Sequence, residues 1–249
     1  MTQELHVVVL GKGPPLVLLH GWGWHSGIWQ PLIPQLIDSY QLFLVDLPGF
    51  GKSHLLTESY QFADLAKRIF QQVPLTATWL GWSLGGMLAW WIAIHYPEKV
   101  TRLITVASSP KFVSDDSWPG IPLATLQRFS QAILANYEKT LEDFLELQLR
   151  GSKNAALLLT ELKSQISFCH TDALIGGLKL LRETDLRQDL KKIKCPSLHI
   201  FGANDTLVPI AVIPYLQKYL SAHSRCEIIK RAGHIPFLSQ PDEFLKLLL

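Results

Sequence analysis

Short, almost wholly apolar runs that alternate with helical patterns are what most constrain this chain. "LHVVVL" (5–10), "PLVLLHG" (15–21), "QLFLVDLPG" (41–49) and "ATWLGWS" (77–83) read as strands with Gly and Pro between them. "SYQFADLAKRIFQQV" (59–73) and "GGMLAWWIAIHYP" (85–97) read as helices, and "VTRLITVASSP" (100–110) as a further strand. Apolar strands alternating with helices predict an α/β fold whose mostly parallel sheet is covered on both faces. From Pro110 to Arg182 the apolar residues keep helical spacing and no strand candidate occurs. Strand patterns return at "CPSLHIFGAND" (195–205) and "RCEIIKRAGH" (225–234), and "DEFLKLLL" closes the chain as a helix. The expected organisation is a core in two parts, 1–109 and 183–249, with a helical lid inserted at 110–182.

Composition removes several function classes. With 249 residues, 48% hydrophobic and 18% charged, the chain is globular, and a net charge of +2 is too small to point to nucleic acid. Cys169, Cys195 and Cys226 form neither a C-x-x-C pair nor a disulfide framework, which fits a reducing compartment. The start, "MTQELHVVVLGKG", has no export-signal pattern, and no apolar run reaches the roughly 20 residues of a membrane span. A cytoplasmic protein, working as a monomer, is expected. "PGFGKS" (48–53) resembles the end of a phosphate-binding loop, but Asp46 stands where that motif needs glycine. No Cys/His/carboxylate grouping has metal-ligand spacing, so neither metal nor cofactor is expected.

Gly81-Trp82-Ser83-Leu84-Gly85 matches G-x-S-x-G between a strand and a helix. Ser83 is either a helix N-cap among close-packed glycines or a nucleophile held at a strained bend. The strand–turn–helix setting favours the nucleophile. A serine needs a base and an orienting acid, and in this architecture the chain order is serine, acid, histidine. Asp205 ends one strand pattern and His234 follows another, at the carboxyl ends where open α/β sheets place reactive groups. Asp46 precedes Ser83 and fits a loop brace, and His199 lies inside a strand as a structural residue. His6, His54, His95, His170 and His223 have no common focus. The oxyanion of an acyl-transfer intermediate needs two N–H donors, expected from Leu84 and from Trp22 in "LLHGWGWHSG" (18–27).

"HGWG", "VDLPGFGKS", "GWSLGG", "FGANDTLVP" and "AGHIPF" together resemble the α/β-hydrolase superfamily along nearly the whole chain. "LLHGWGWHSGIW", "WLGWSLGGMLA", "ITVASSP", "DDSWPGI", "FLELQ", "GGLKLLRETDLRQDL" and "AGHIPFLSQP" are more specific. They resemble the BioH family, the pimeloyl-[acyl-carrier protein] methyl ester esterases of biotin biosynthesis. The resemblance implies an α/β-hydrolase fold, a Ser83–Asp205–His234 triad and oxyanion donors at Trp22 and Leu84. It further implies an acyl chain lined by Phe144, Leu145, Glu146, Leu147 and Gln148, and a carrier-protein partner bearing the methyl-esterified pimeloyl chain. Lys139, Arg150 and Lys153 are the candidate carrier contacts, although residues 110–182 hold about as many acids as bases. Other readings of the same scaffold are a carbon–carbon bond hydrolase of ring-cleavage products, a ligand sensor without turnover, and a lyase.

Overall fold

The computed structural model describes residues 5–55, 59–165 and 169–249. Seven strands form one sheet: β1 (Val7–Leu10), β2 (Pro15–Leu19), β3 (Gln41–Val45), β4 (Ala77–Trp82), β5 (Val100–Val106), β6 (Ser197–Gly202) and β7 (Ser224–Ile229). Their spatial order is β1-β3-β2-β4-β5-β6-β7. Only β1 runs antiparallel, on β3, and every other neighbouring pair is parallel. The strands sit within the expected runs to a residue or so. The runs extend further mainly at their carboxyl ends, where the chain leaves the sheet for polar loops.

Alternation along each strand divides the interior into two cores. Val17, Leu19, Phe43 and Val45 face one side, while Leu16, Leu18, Leu42 and Leu44 face the other. β4 and β6 are buried at every position, which accounts for their unbroken apolar character. Helix α1 (Phe62–Phe70) buries Phe62, Leu65, Ala66 and Ile69, an amphipathic face at i, i+3, i+4 and i+7. Helix α2 (Leu84–His95) is apolar almost all round because the fold encloses it, with Trp90 fully buried and Trp91 half-buried against His95.

Between β5 and β6 the described residues form the α-helices α3 (Leu123–Ala135), α4 (Tyr137–Leu149), α5 (Ala155–Lys163) and α6 (Thr171–Glu183) and a short 3-10 helix (Arg187–Lys192), while α7 (Pro241–Leu248) closes the fold. Helix α4 serves both cores: Leu141 packs into one, and Leu145 and Leu149 into the other. Strand order reverses its sense between β2 and β4, so the loops leaving these two neighbours frame a crevice at the sheet's carboxyl edge. No helix among the described residues is long and apolar enough to cross a membrane.

Candidate active site

Ser83 sits between the end of β4 and the start of α2 with φ 54 and ψ −115. A non-glycine residue in that region stores about 1–3 kcal/mol of strain, which surrounding structure must hold in place. Its own N–H donates to Val106 O at 2.9 Å, and the buried Ser108 hydroxyl donates to Ser83 O at 2.8 Å. The flanking glycines are demanded by close backbone approach. A Cβ on Gly81 would lie 2.2 Å from Gly85 O, and one on Gly85 would lie 2.4 Å from Leu19 O. The Ser83 side chain makes no capping bond to α2, so its hydroxyl is free to face elsewhere.

It faces a histidine. His234 Nε2 lies 3.0 Å from Ser83 Oγ, and His234 Nδ1 lies 2.8 Å from Asp205 Oδ2. The carboxylate fixes the tautomer: Nδ1–H donates to Asp205, leaving Nε2 to accept from the serine. Asp205 is held in turn, its Oδ1 accepting from the N–H groups of Leu207 at 2.8 Å and Val208 at 3.0 Å. All three side chains are buried. They come from the ends of β4, β6 and β7, so three loops separated by up to 151 residues converge on one point.

The loop after β2 completes the crevice. Neither the Trp22 N–H nor the Leu84 N–H donates a hydrogen bond to a described residue, and Leu84 opens α2, where such amides lack intrahelical partners. The Trp22 indole N–H donates to Leu174 O on α6 at 2.8 Å. His20 is a brace rather than a base: Nδ1–H donates to Gly21 O and Nε2 accepts from Leu47 N–H, both at 2.8 Å. Burial pulls its pKa down from 6.5 to about 4 and keeps it neutral. Asp46 accepts from Ser26 N–H at 2.7 Å and Lys52 N–H at 2.9 Å. Burial pushes its carboxyl up, yet those N–H groups and nearby His20 outweigh it and hold the group below the ordinary carboxylate range. His199, fully buried, bridges Thr105 Oγ1 at 2.7 Å and Ser197 Oγ at 3.0 Å, and burial lowers its pKa to about 3.

Ser83 and His234 open on a narrow, almost wholly apolar pocket walled by Trp22, Phe112, Leu126, Phe129, Phe144 and Leu178. Of the five consecutive residues 144–148, only Phe144 lines it, edge-on to Trp22 at 5.1 Å. Leu145 is buried in the opposite core, Glu146 is exposed and paired with Lys163 at 3.6 Å, and Leu147 packs against the first core. Gln148 is fully buried behind the histidine, its Oε1 accepting from Trp24 Nε1–H at 2.9 Å. A helix of 3.6 residues per turn spreads five successive side chains over all its faces, so it cannot aim them at one cavity.

Residues 14–241 match the family described as the alpha/beta hydrolase fold. The chain belongs to the α/β-hydrolase-fold family. Among solved structures, an esterase from Exiguobacterium antarcticum is 26% identical with a TM-score of 0.89, 98% of this chain and 93% of that one being covered. A bromoperoxidase from Bacillus anthracis superposes with a TM-score of 0.89 at 22% identity, covering 98% and 93%. An enol-lactonase from Burkholderia xenovorans does so at 0.77 and 20%, covering 98% and 94%. These last two speak for the fold alone. The chain is a hydrolase of that fold.

For several residues at the site, no motif hinted at the bonds they make. The Trp82 indole N–H donates to His234 O at 2.8 Å, and its ring fills the space beside Gly21, where a Cβ would lie 2.9 Å away. Trp24 and Gln148 meet across 124 positions of sequence, and Ser108 reaches Ser83 across 25. The only available signal was the unusual density of tryptophan, eight in the chain, around the serine and the loop after β2.

Proposed function

We propose that this protein is a serine carboxylesterase that removes the methyl group from pimeloyl-[acyl-carrier protein] methyl ester, as in biotin biosynthesis. The observation that carries the reading is the Ser83–His234–Asp205 chain of hydrogen bonds, 3.0 and 2.8 Å long, opening on an apolar cavity. In this reading Ser83 Oγ attacks the ester carbonyl carbon while His234 Nε2 takes the hydroxyl proton and Asp205 holds the imidazolium. The N–H groups of Trp22 and Leu84 receive the oxyanion. Collapse expels methanol, protonated by His234, and leaves an acyl-serine. Water then gives its proton to His234 and its oxygen to the acyl carbon, which releases the carboxylate and restores Ser83.

The specific substrate is favoured by the sequence resemblance across core and lid, and the apolar lining of the pocket is compatible with an aliphatic acyl chain. Residues 110–182 act as the lid, and the carrier protein docks on its outer surface. There Lys139 pairs with Asp143 and Glu146 with Lys163, and the reading places the carrier contacts on the exposed Arg150 and Lys153. The deciding experiment is complementation of a biotin-requiring strain that lacks this step, with Ser83→Ala as control. Growth without biotin from the wild-type gene alone supports the reading. Failure of the well-expressed wild type to restore growth, with short methyl esters still hydrolysed, reduces the function to a general esterase.

A further inference from the structure

The turn that follows α4 reaches across to both loops that carry the acid and the base. His234 N–H donates to Gln148 O at 3.0 Å, and Lys153 N–H donates to Arg231 O at 3.0 Å. Gly233 N–H donates to the Ser152 hydroxyl at 3.0 Å. On the acid side, Asn204 Nδ2–H donates to Gly151 O at 2.8 Å. Packing at this junction leaves no slack: a Cβ on Gly233 would stand 2.6 Å from Arg150 O, and one on Gly151 would stand 2.6 Å from Asn204 Cβ. Four hydrogen bonds therefore run from residues 148–153 to the residues beside or at Asp205 and His234.

We propose that Ser152 is a positioning residue for His234, and that the 148–153 turn holds acid and base in register. Of the four bonds, three use a backbone atom on the α4 side, so they survive most substitutions there. The Ser152 hydroxyl is the one side-chain acceptor supplied by the turn, and it takes the N–H of Gly233, the residue immediately before His234. Asn204 is its counterpart on the adjacent strand end, next to Asp205. Deleting the Ser152 hydroxyl leaves the Gly233 N–H without its partner and lets the loop shift, which moves Nε2 relative to Ser83 Oγ. Reaction rates respond steeply to such shifts, by about 10²-fold for 1 Å. Substrate affinity does not depend on this bond, because neither Ser152 nor Asn204 lines the acyl cavity.

This inference rests on the esterase reading, and the experiment separates the two. Steady-state hydrolysis of p-nitrophenyl butyrate and a methyl ester is measured for wild type, Ser83→Ala, Ser152→Ala, Ser152→Thr and Asn204→Ala. The expected result is a roughly ten-fold fall in kcat for Ser152→Ala at a KM within two-fold of wild type. Ser152→Thr, which keeps the hydroxyl, recovers most of the loss, and Asn204→Ala lowers kcat in the same sense. An unchanged kcat in Ser152→Ala overturns the proposal, as does equal impairment of the Ala and Thr variants with a matching loss of Tm. If wild type and Ser83→Ala are equally inactive, the esterase reading itself fails.

Discussion

At the scale of single residues, the site depends on atoms whose partners lie far along the chain. Ser83→Ala is expected to cut ester turnover by about 10⁴- to 10⁶-fold with the fold retained, since triad members act as a unit; kcat/KM beside the thermal melt checks both halves. Trp82→Phe keeps the ring and deletes the N–H that holds His234 O at 2.8 Å. The buried carbonyl then lacks its donor, at a cost of about 1–3 kcal/mol, and kcat is expected to fall while KM stays near its wild-type value. Kinetics and the urea midpoint read out the two effects, and an unchanged kcat counts against any role for Trp82 in holding the base. Gly85→Ala tests the elbow itself. Its Cβ would meet Leu19 O at 2.4 Å, so a loss of about 3 kcal/mol or no soluble folded protein is expected.

At the scale of elements, α4 contributes Phe144 to the pocket, while α3 contributes Thr125, Leu126 and Phe129. Phe144 touches Trp22 at 5.1 Å and Phe129 at 5.5 Å, each contact worth about 0.5–1.5 kcal/mol. Phe144→Ala is expected to lower Tm and to raise kcat/KM for branched acyl esters relative to straight-chain ones, measured over a series of p-nitrophenyl esters. The seven strands and the strand–bend–helix around Ser83 were legible in the sequence because each is specified locally, by apolar runs and by glycines at fixed offsets. Asp205 and His234 were legible because each stands just past a strand, where the fold gathers reactive groups. The face of α4 was not: a family segment of five consecutive residues carries no orientation, and Phe144 alone reaches the cavity. The bonds made by Trp24, Trp82, Ser108 and Ser152 were not legible for a related reason, since their partners are set by how distant loops meet.

The whole molecule carries two fully buried histidines that its fold keeps neutral. Burial lowers His20 from 6.5 to about 4 and His199 from 6.5 to about 3. Below pH 6.5 the unfolded chain therefore binds protons that the native state refuses, and stability falls as pH drops from 6.5 towards 4 for His20 and towards 3 for His199. Urea unfolding between pH 7.5 and pH 4.5 is expected to show that decline, with a shallower slope in His199→Gln than in wild type; parallel slopes contradict it. Finally, β5 and β6 are hydrogen-bonded neighbours although more than ninety positions apart, Leu103 aligning with Ser197 and Val106 with Ile200. The strand from which the chain departs for α3–α6 and the strand to which it returns are thus side by side in the sheet. The departure towards these helices falls beside the strand end that leads to Asp205. Among those helices, the end of α4 and the turn after it give the Gln148 carbonyl to His234 N–H and the Ser152 hydroxyl to Gly233 N–H, so the insertion and the base are tied at that point.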